Sequence, residues 1–292
     1  MSRFAPSARS RAAALAGAAL MCSSAAVAGS IEVSFENLAS DDGGFFFTPV
    51  WGAFHNGEFD VYTSGEPASN FPGLEELAED GNNDVLSEDF NASSAAAAGG
   101  VDFTLPGLDV GPPPINPGET ATTVIDTGDT TVNRYFSYAS MLIPTNDIFV
   151  ANANPLAHEV YDEDGAFAGD VVIEIFGSSL RDAGTEVNDI TAGAAFSALG
   201  GDPSDENGII TTFNNNPALA DYLVTINGTP TVAGTTIDAD ISGATPLARI
   251  TLTNAEVAGG GDDDGPAVVP TPSAAVAGLA LMGLVGARRR RA

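Results

Sequence analysis

Short runs in which apolar and polar side chains alternate, each closed by Gly, Pro, Asn or Asp, fill the middle of this chain. They leave little room for anything but stacked sheets. Ile31, Val33 and Phe35 stand between polar neighbours, the period-2 spacing of a strand with one face in the core. Residues 45–54, Tyr135–Ile143 and Val171–Phe176 are apolar on both sides, as strands covered on both faces are. Residues 209–213, 222–226, 231–237 and 247–252 read as further strands. Strands this short and this closely punctuated predict a mainly β chain folded as an antiparallel β-sandwich. One or two short helices interrupt it. Within 72–81, Leu74, Leu77 and Ala78 fall at helical spacing, Pro72 suits a first turn and Gly81 a stop. Residues 84–90 add a second turn, and 92–117 read as loop with a helical scrap at 95–98.

Both ends carry address labels. Residues 1–28 hold three Arg, an apolar run from Ala12 to Met21, and Ala26-Val-Ala28. That is the basic, apolar and small-x-small order of a cleaved export signal. Cys22, the single cysteine of the chain, falls inside it, so the exported chain has no disulfide, no Cys–zinc site and no Cys nucleophile. At the other end come Val269-Pro-Thr-Pro-Ser273, fourteen apolar residues and four Arg. Fourteen is short for a span of about 20 residues, and the Arg cluster holds its end on the cytoplasmic side. These marks divide the chain into an export segment (1–28), one globular domain (29–257), a Gly/Asp spacer (258–268) and a tail (269–292).

The charge narrows the partners. The chain has 39 acidic and 10 basic residues, all ten of them Arg. Seven of those Arg lie in the two end segments, so residues 29–268 keep only Arg134, Arg181 and Arg249, for a formal charge of 3 − 39 = −36. Nucleic acid is excluded, because a polyanion needs clustered Lys and Arg. Anionic lipid is disfavoured for the same reason.

Two acidic stretches follow β-patterned runs: Ser140-Met-Leu-Ile-Pro-Thr-Asn-Asp-Ile-Phe149 and Asp182-Ala-Gly-Thr-Glu186. Both read as loops carrying carboxylates off one end of a sheet. Carboxylates gathered from separate loops repel unless something positive lies among them, and this chain has few basic groups to spare. A hard dication answers that need, calcium first. Asp182 and Glu186 are four apart around Gly184, which permits a tight turn, and Asp147 comes from the neighbouring loop. Three side chains fall short of the six to eight oxygens calcium takes, so backbone carbonyls and water are expected to complete the shell.

The order of the motifs resembles a known family. Phe47-Thr-Pro49, Gly65-Glu-Pro-Ala-Ser69, Leu77-Ala-Glu-Asp-Gly81, Ser140-Met-Leu-Ile-Pro144 with Asp147, and Asp182-Ala-Gly-Thr-Glu186 occur in the succession of the spondin N-terminal domain. The resemblance covers roughly residues 30 to 255. It implies a C2-like antiparallel sandwich that holds calcium in loops at one end, with Asp147, Asp182 and Glu186 as ligands. Glu186 stands where animal members have Asp, Ile148 replaces a common Trp, and their cysteines are missing. The tail resembles the PEP-CTERM sorting signal of bacteria, with Pro270-Thr-Pro272 in place of Pro-Glu-Pro. That resemblance implies handling by an exosortase and display on the cell surface or in the extracellular matrix.

Other chemistry has thinner support. His55 and His158 are the only histidines and lack metal-ligand spacing. No Gly-x-Ser-x-Gly elbow occurs. Asp162-Glu-Asp-Gly165 and the acidic stretch 202–208 fit no EF-hand schedule and read as solvated turns. The expectation is a non-enzymatic, exported calcium module acting in adhesion or matrix assembly on an unidentified surface or matrix component. The alternative is a secreted hydrolase that uses loop carboxylates on polysaccharide.

Overall fold

The computed structural model describes residues 28–109 and 113–255. The expected export segment up to residue 27, the expected spacer and the expected sorting tail lie outside the described residues. Among the described residues no helix is long and apolar enough to cross a membrane.

Two antiparallel sheets face each other. The first holds β5 (Thr120–Asp129), β1 (Ala28–Asn37), β11 (Pro246–Asn254) and β8 (Val171–Phe176) in that order. The second runs β10 (Thr211–Thr212), β9 (Arg181–Asp182), β7 (Ile148–Ala151), β6 (Tyr135–Ile143), β3 (Val50–His55) and β4 (Val101–Leu105), with β2 (Phe46–Phe47) also pairing with β6. Between the sheets Ile31, Val33 and Phe35 of β1 meet a core that includes Phe54, Phe136, Tyr138 and Leu142. The outer face of the second sheet is covered in turn by α1 (Pro72–Asp80), α2 (Asp84–Asn91) and α3 (Ser94–Ala97). There Trp51, Ala53, Ala139 and Phe149 pack with Leu74, Leu77, Leu86 and Phe90.

This layering explains the two kinds of strand in the sequence. β3 and β6 lie in the middle layer and are buried nearly throughout, whereas β1 alternates. β8 departs from its expectation. It lies at the edge of the first sheet and alternates, with Val172 and Phe176 exposed. Its Val- and Ile-rich composition reflects β propensity and not two-sided cover.

The expected helices are present. Gly81 ends α1 in the left-handed conformation at φ 65°, and the Asp89 carboxylate accepts from the Gly73 N–H at 2.9 Å, capping the start of α1 from α2. A fourth helix, α4 (Pro217–Ile226), replaces the strand expected at 222–226. Asn216 caps it, Pro217 begins it, and Leu219, Tyr222, Leu223 and Ile226 form its buried stripe. Residues 231–237 form a turn closed by a Pro230–Thr236 bridge, and the strand expected at 209–213 shrinks to β10. β4 lies within the expected loop, α3 stands where a helical scrap was expected, and β5 and β7 were not foreseen as strands.

The sandwich has two distinct ends. At one, Asn37 at the end of β1 reaches the Phe45 and Ile115 carbonyls, and Phe46 pairs with Ile143 at the end of β6. At the other, Ala28 opposes Asp129, and Val160 and Tyr161 meet Arg134 at the start of β6. The nine residues of β6 separate these ends, roughly 27 Å at strand rise.

Candidate metal centre

Asp147 lies where β6 has ended and β7 begins, at the first of these ends. Ile148 pairs with Asp182 in the β7–β9 ladder, which puts Asp182 beside the residue after Asp147. The ladder extends past the strand when the Ala183 N–H donates to the Asp147 carbonyl at 3.2 Å. The chain then turns through Gly184 at φ 68°, a backbone conformation that side chains other than Gly resist.

That turn aims backbone donors at Asp147. Its Oδ2 accepts from the N–H groups of Thr185 at 2.8 Å and Glu186 at 3.1 Å, and from Thr185 Oγ1 at 3.3 Å. Its Oδ1 is buried and accepts nothing from the described residues. Asp182 Oδ1 accepts from the Gly184 N–H at 2.9 Å. Asp182 Oδ2 accepts from Asn188 Nδ2 at 2.8 Å and Asn216 Nδ2 at 3.0 Å. The Asn188 side-chain oxygen is a second buried acceptor with no partner among the described residues.

Burial, and then the charge of Asp182, pushes the Asp147 carboxyl up to about 7. Burial pushes Asp182 up as well, with Glu206 adding to it. Glu79 at the end of α1 lies close to Thr185, and burial raises its carboxyl too. Among the described residues no basic side chain relieves these groups. Arg134 pairs with Glu159, and Arg249 with Glu36 and Glu174. Arg181 is the sequence neighbour of Asp182, but the strand turns it the other way. Its guanidinium donates to Tyr62 Oη at 3.0 Å and to the carbonyls of Ser178 and Leu180.

The structure brings two of the three expected side chains together. Asp147 and Asp182 come together, buried and mutually repelling. Glu186 is buried beside them and contributes its backbone N–H to Asp147. Among the described residues, no group of three or more His, Cys, Asp or Glu side chains is arranged to hold a metal ion. Two participants were missed. Asn188 follows Asp182 by six residues, and its amide near two acids was the available signal. Glu79 comes from a distant helix and left none.

The remaining candidates take structural roles. His55 is buried, its Nε2 2.8 Å from Ser137 Oγ and its Nδ1 accepting from the Gly57 N–H at 2.9 Å. Asp162 Oδ1 accepts from the N–H groups of Asp164 and Ala166 within its own turn. No family model matches this chain, and no curated protein matches it.

Proposed function

We propose that this is an exported, calcium-binding, non-enzymatic module of a bacterial cell surface or matrix, working in adhesion or assembly. The observation that carries the reading is Asp147. A carboxylate buried at 0 % exposure, beside a second carboxylate, with one oxygen unpartnered and no cation at hand among the described residues, is costly. A dication removes the repulsion and occupies the free oxygen. Asp147, Asp182 and the Asn188 side-chain oxygen would hold it, all hard oxygen donors of the kind calcium prefers. Backbone carbonyls and water would complete the shell, and Glu186 lies on the turn that carries these groups. The ion would supply fixed positive charge that pins the β6–β7 loop to the turn at Gly184.

The hydrolase alternative has less support. Trp51, the only Trp of the chain, is fully buried against Phe59 and Phe90, so it offers no platform to a sugar.

A melt with calcium and with chelator tests the proposal. Calcium at a hundredfold excess over its dissociation constant stabilises by about 2.7 kcal/mol, which raises Tm by roughly 5 to 10 °C in a domain of this size. Asp147→Asn and Asp182→Asn should each remove most of that rise, while Asp162→Asn keeps it. Equal midpoints with calcium and chelator would sink the proposal.

A further inference from the structure

A second site lies at the opposite end of the sandwich, where β1 begins. A cavity of about 180 Å³ is bounded there by Ala28, Gly29, Thr130, Tyr161, Phe167 and Asn254, among others. Thr130 is 1 % exposed, and its hydroxyl has no hydrogen-bond partner among the described residues. Gly29 is clamped beside it. Thr127 Oγ1 lies 3.0 Å from the Gly29 carbonyl, which accepts its proton, and 2.9 Å from Tyr161 Oη. A Cβ at position 29 would meet the Tyr161 hydroxyl and lie 2.6 Å from the Thr130 methyl, so a side chain there would have to displace these groups. The Thr130 hydroxyl lies on the side of Gly165, 2.6 Å from where a Cβ of that residue would stand. In the β1–β5 ladder Ala28 opposes Asp129 and Gly29 opposes Gly128.

The small-x-small motif ends at Ala28, so the bond a signal-cleaving peptidase would cut is the one that enters this cavity. Hydrolysis adds one water across the Ala28–Gly29 bond. The departing fragment keeps the carboxylate, and the Gly29 nitrogen leaves as an amine that takes a proton at neutral pH. We propose that this new α-ammonium stays in the cavity as a binding element of the mature domain, donating to the unpartnered Thr130 hydroxyl and facing the acidic turn that carries Asp126 and Asp129. An ammonium carries three donors where the amide carried one, and in a segment of charge −36 it is drawn to the acids. Maturation would thereby finish the packing at this end. The proposal rests on the export reading above, and not on the calcium reading.

The chain has no Lys, so the α-amine of the mature protein is its only primary amine, and amine-selective acetylation addresses it alone. The full chain would be produced in an exporting host, and intact mass would define its first residue. We expect Gly29 as that residue, acetylation at least tenfold slower in the folded protein than in urea, and a lowered Tm once the amine is acetylated. Thr130→Val should remove most of the difference in Tm between free and acetylated forms. An exported chain beginning at Gly29 whose amine reacts equally fast folded and unfolded, with no change in Tm, overturns the seated ammonium and leaves export standing. A chain that keeps residues 1–28 overturns the export reading and this proposal with it.

Discussion

Asp147 is held by two backbone N–H groups that favour its charge, in surroundings that oppose it. Burial and the Asp182 carboxylate win, and raise it to about 7. An unfolded aspartate titrates near 3.9. Between about pH 4 and about pH 7 the folded chain therefore keeps a proton that the unfolded chain has released. The stability this group contributes is full below about pH 4 and is lost as pH rises through about 7. His55, which burial depresses to about 4, acts in the opposite sense. Its contribution is lost as pH falls from about 6.5, where the unfolded group begins to charge. Asp147→Asn separates the two. In chelator, Tm of the native protein minus Tm of this variant should decline from about pH 5 to about pH 8, and calcium should abolish the decline. A difference that stays flat would show that Asp147 is ionised throughout.

The two Asp were legible because each stands in a short motif after a strand, while their meeting required the β7–β9 ladder. Asn188 left only a faint mark, an amide six residues beyond Asp182, and Glu79, on a helix end from another part of the chain, left none. Conversely, Asp162 matched an acidic-loop pattern and closes only its own turn.

At the scale of elements, the site depends on a tight turn and a helix start. A Cβ on Gly184 would lie 2.9 Å from the Ile209 carbonyl oxygen and 3.0 Å from its nitrogen, at a positive φ. Gly184→Ala should cost about 1–2 kcal/mol in urea unfolding and shrink the calcium-induced rise in Tm. A full calcium response in a destabilised variant would show that the turn is needed for folding alone. Asn216 caps α4 by accepting from the Leu219 N–H, and its amide holds both Asp182 and Thr211. Tyr222 of the same helix donates its hydroxyl to Asn146, next to Asp147, at 2.7 Å. Tyr222→Phe leaves Asn146 short of a partner and should cost about 1 kcal/mol, with the shape of the core kept. An unchanged urea midpoint would show that Asn146 finds another donor.

α4 also shows where the sequence misleads. Tyr222, Val224 and Ile226 alternate like a strand, yet Asn216-Pro217 is a cap and first turn, and the spacing of Leu219, Tyr222, Leu223 and Ile226 is helical. Val224, which made the alternation, is exposed. β5 escaped notice for the opposite reason. Its Thr-rich sequence offers β propensity with few apolar residues to count.

Over the whole molecule, a sheet that seats its first strand against its last decides how the domain can be wired. Ile31 of β1 is the ladder partner of Asn254 of β11, so the chain comes in and goes out at one doorway. The carboxylates wait at the far wall, past the length of β6. A circularly permuted chain, with a short Gly/Ser bridge from Asn254 to Gly29 and new ends at Gly200, should fold and keep its calcium-dependent rise in Tm. If that rise vanishes while the permutant still melts cooperatively, the loops around Gly200 serve the ion directly. The same wiring means that a host protein need only open one surface loop to accept this domain as a cassette, acidic tip outward, without stretching its own backbone.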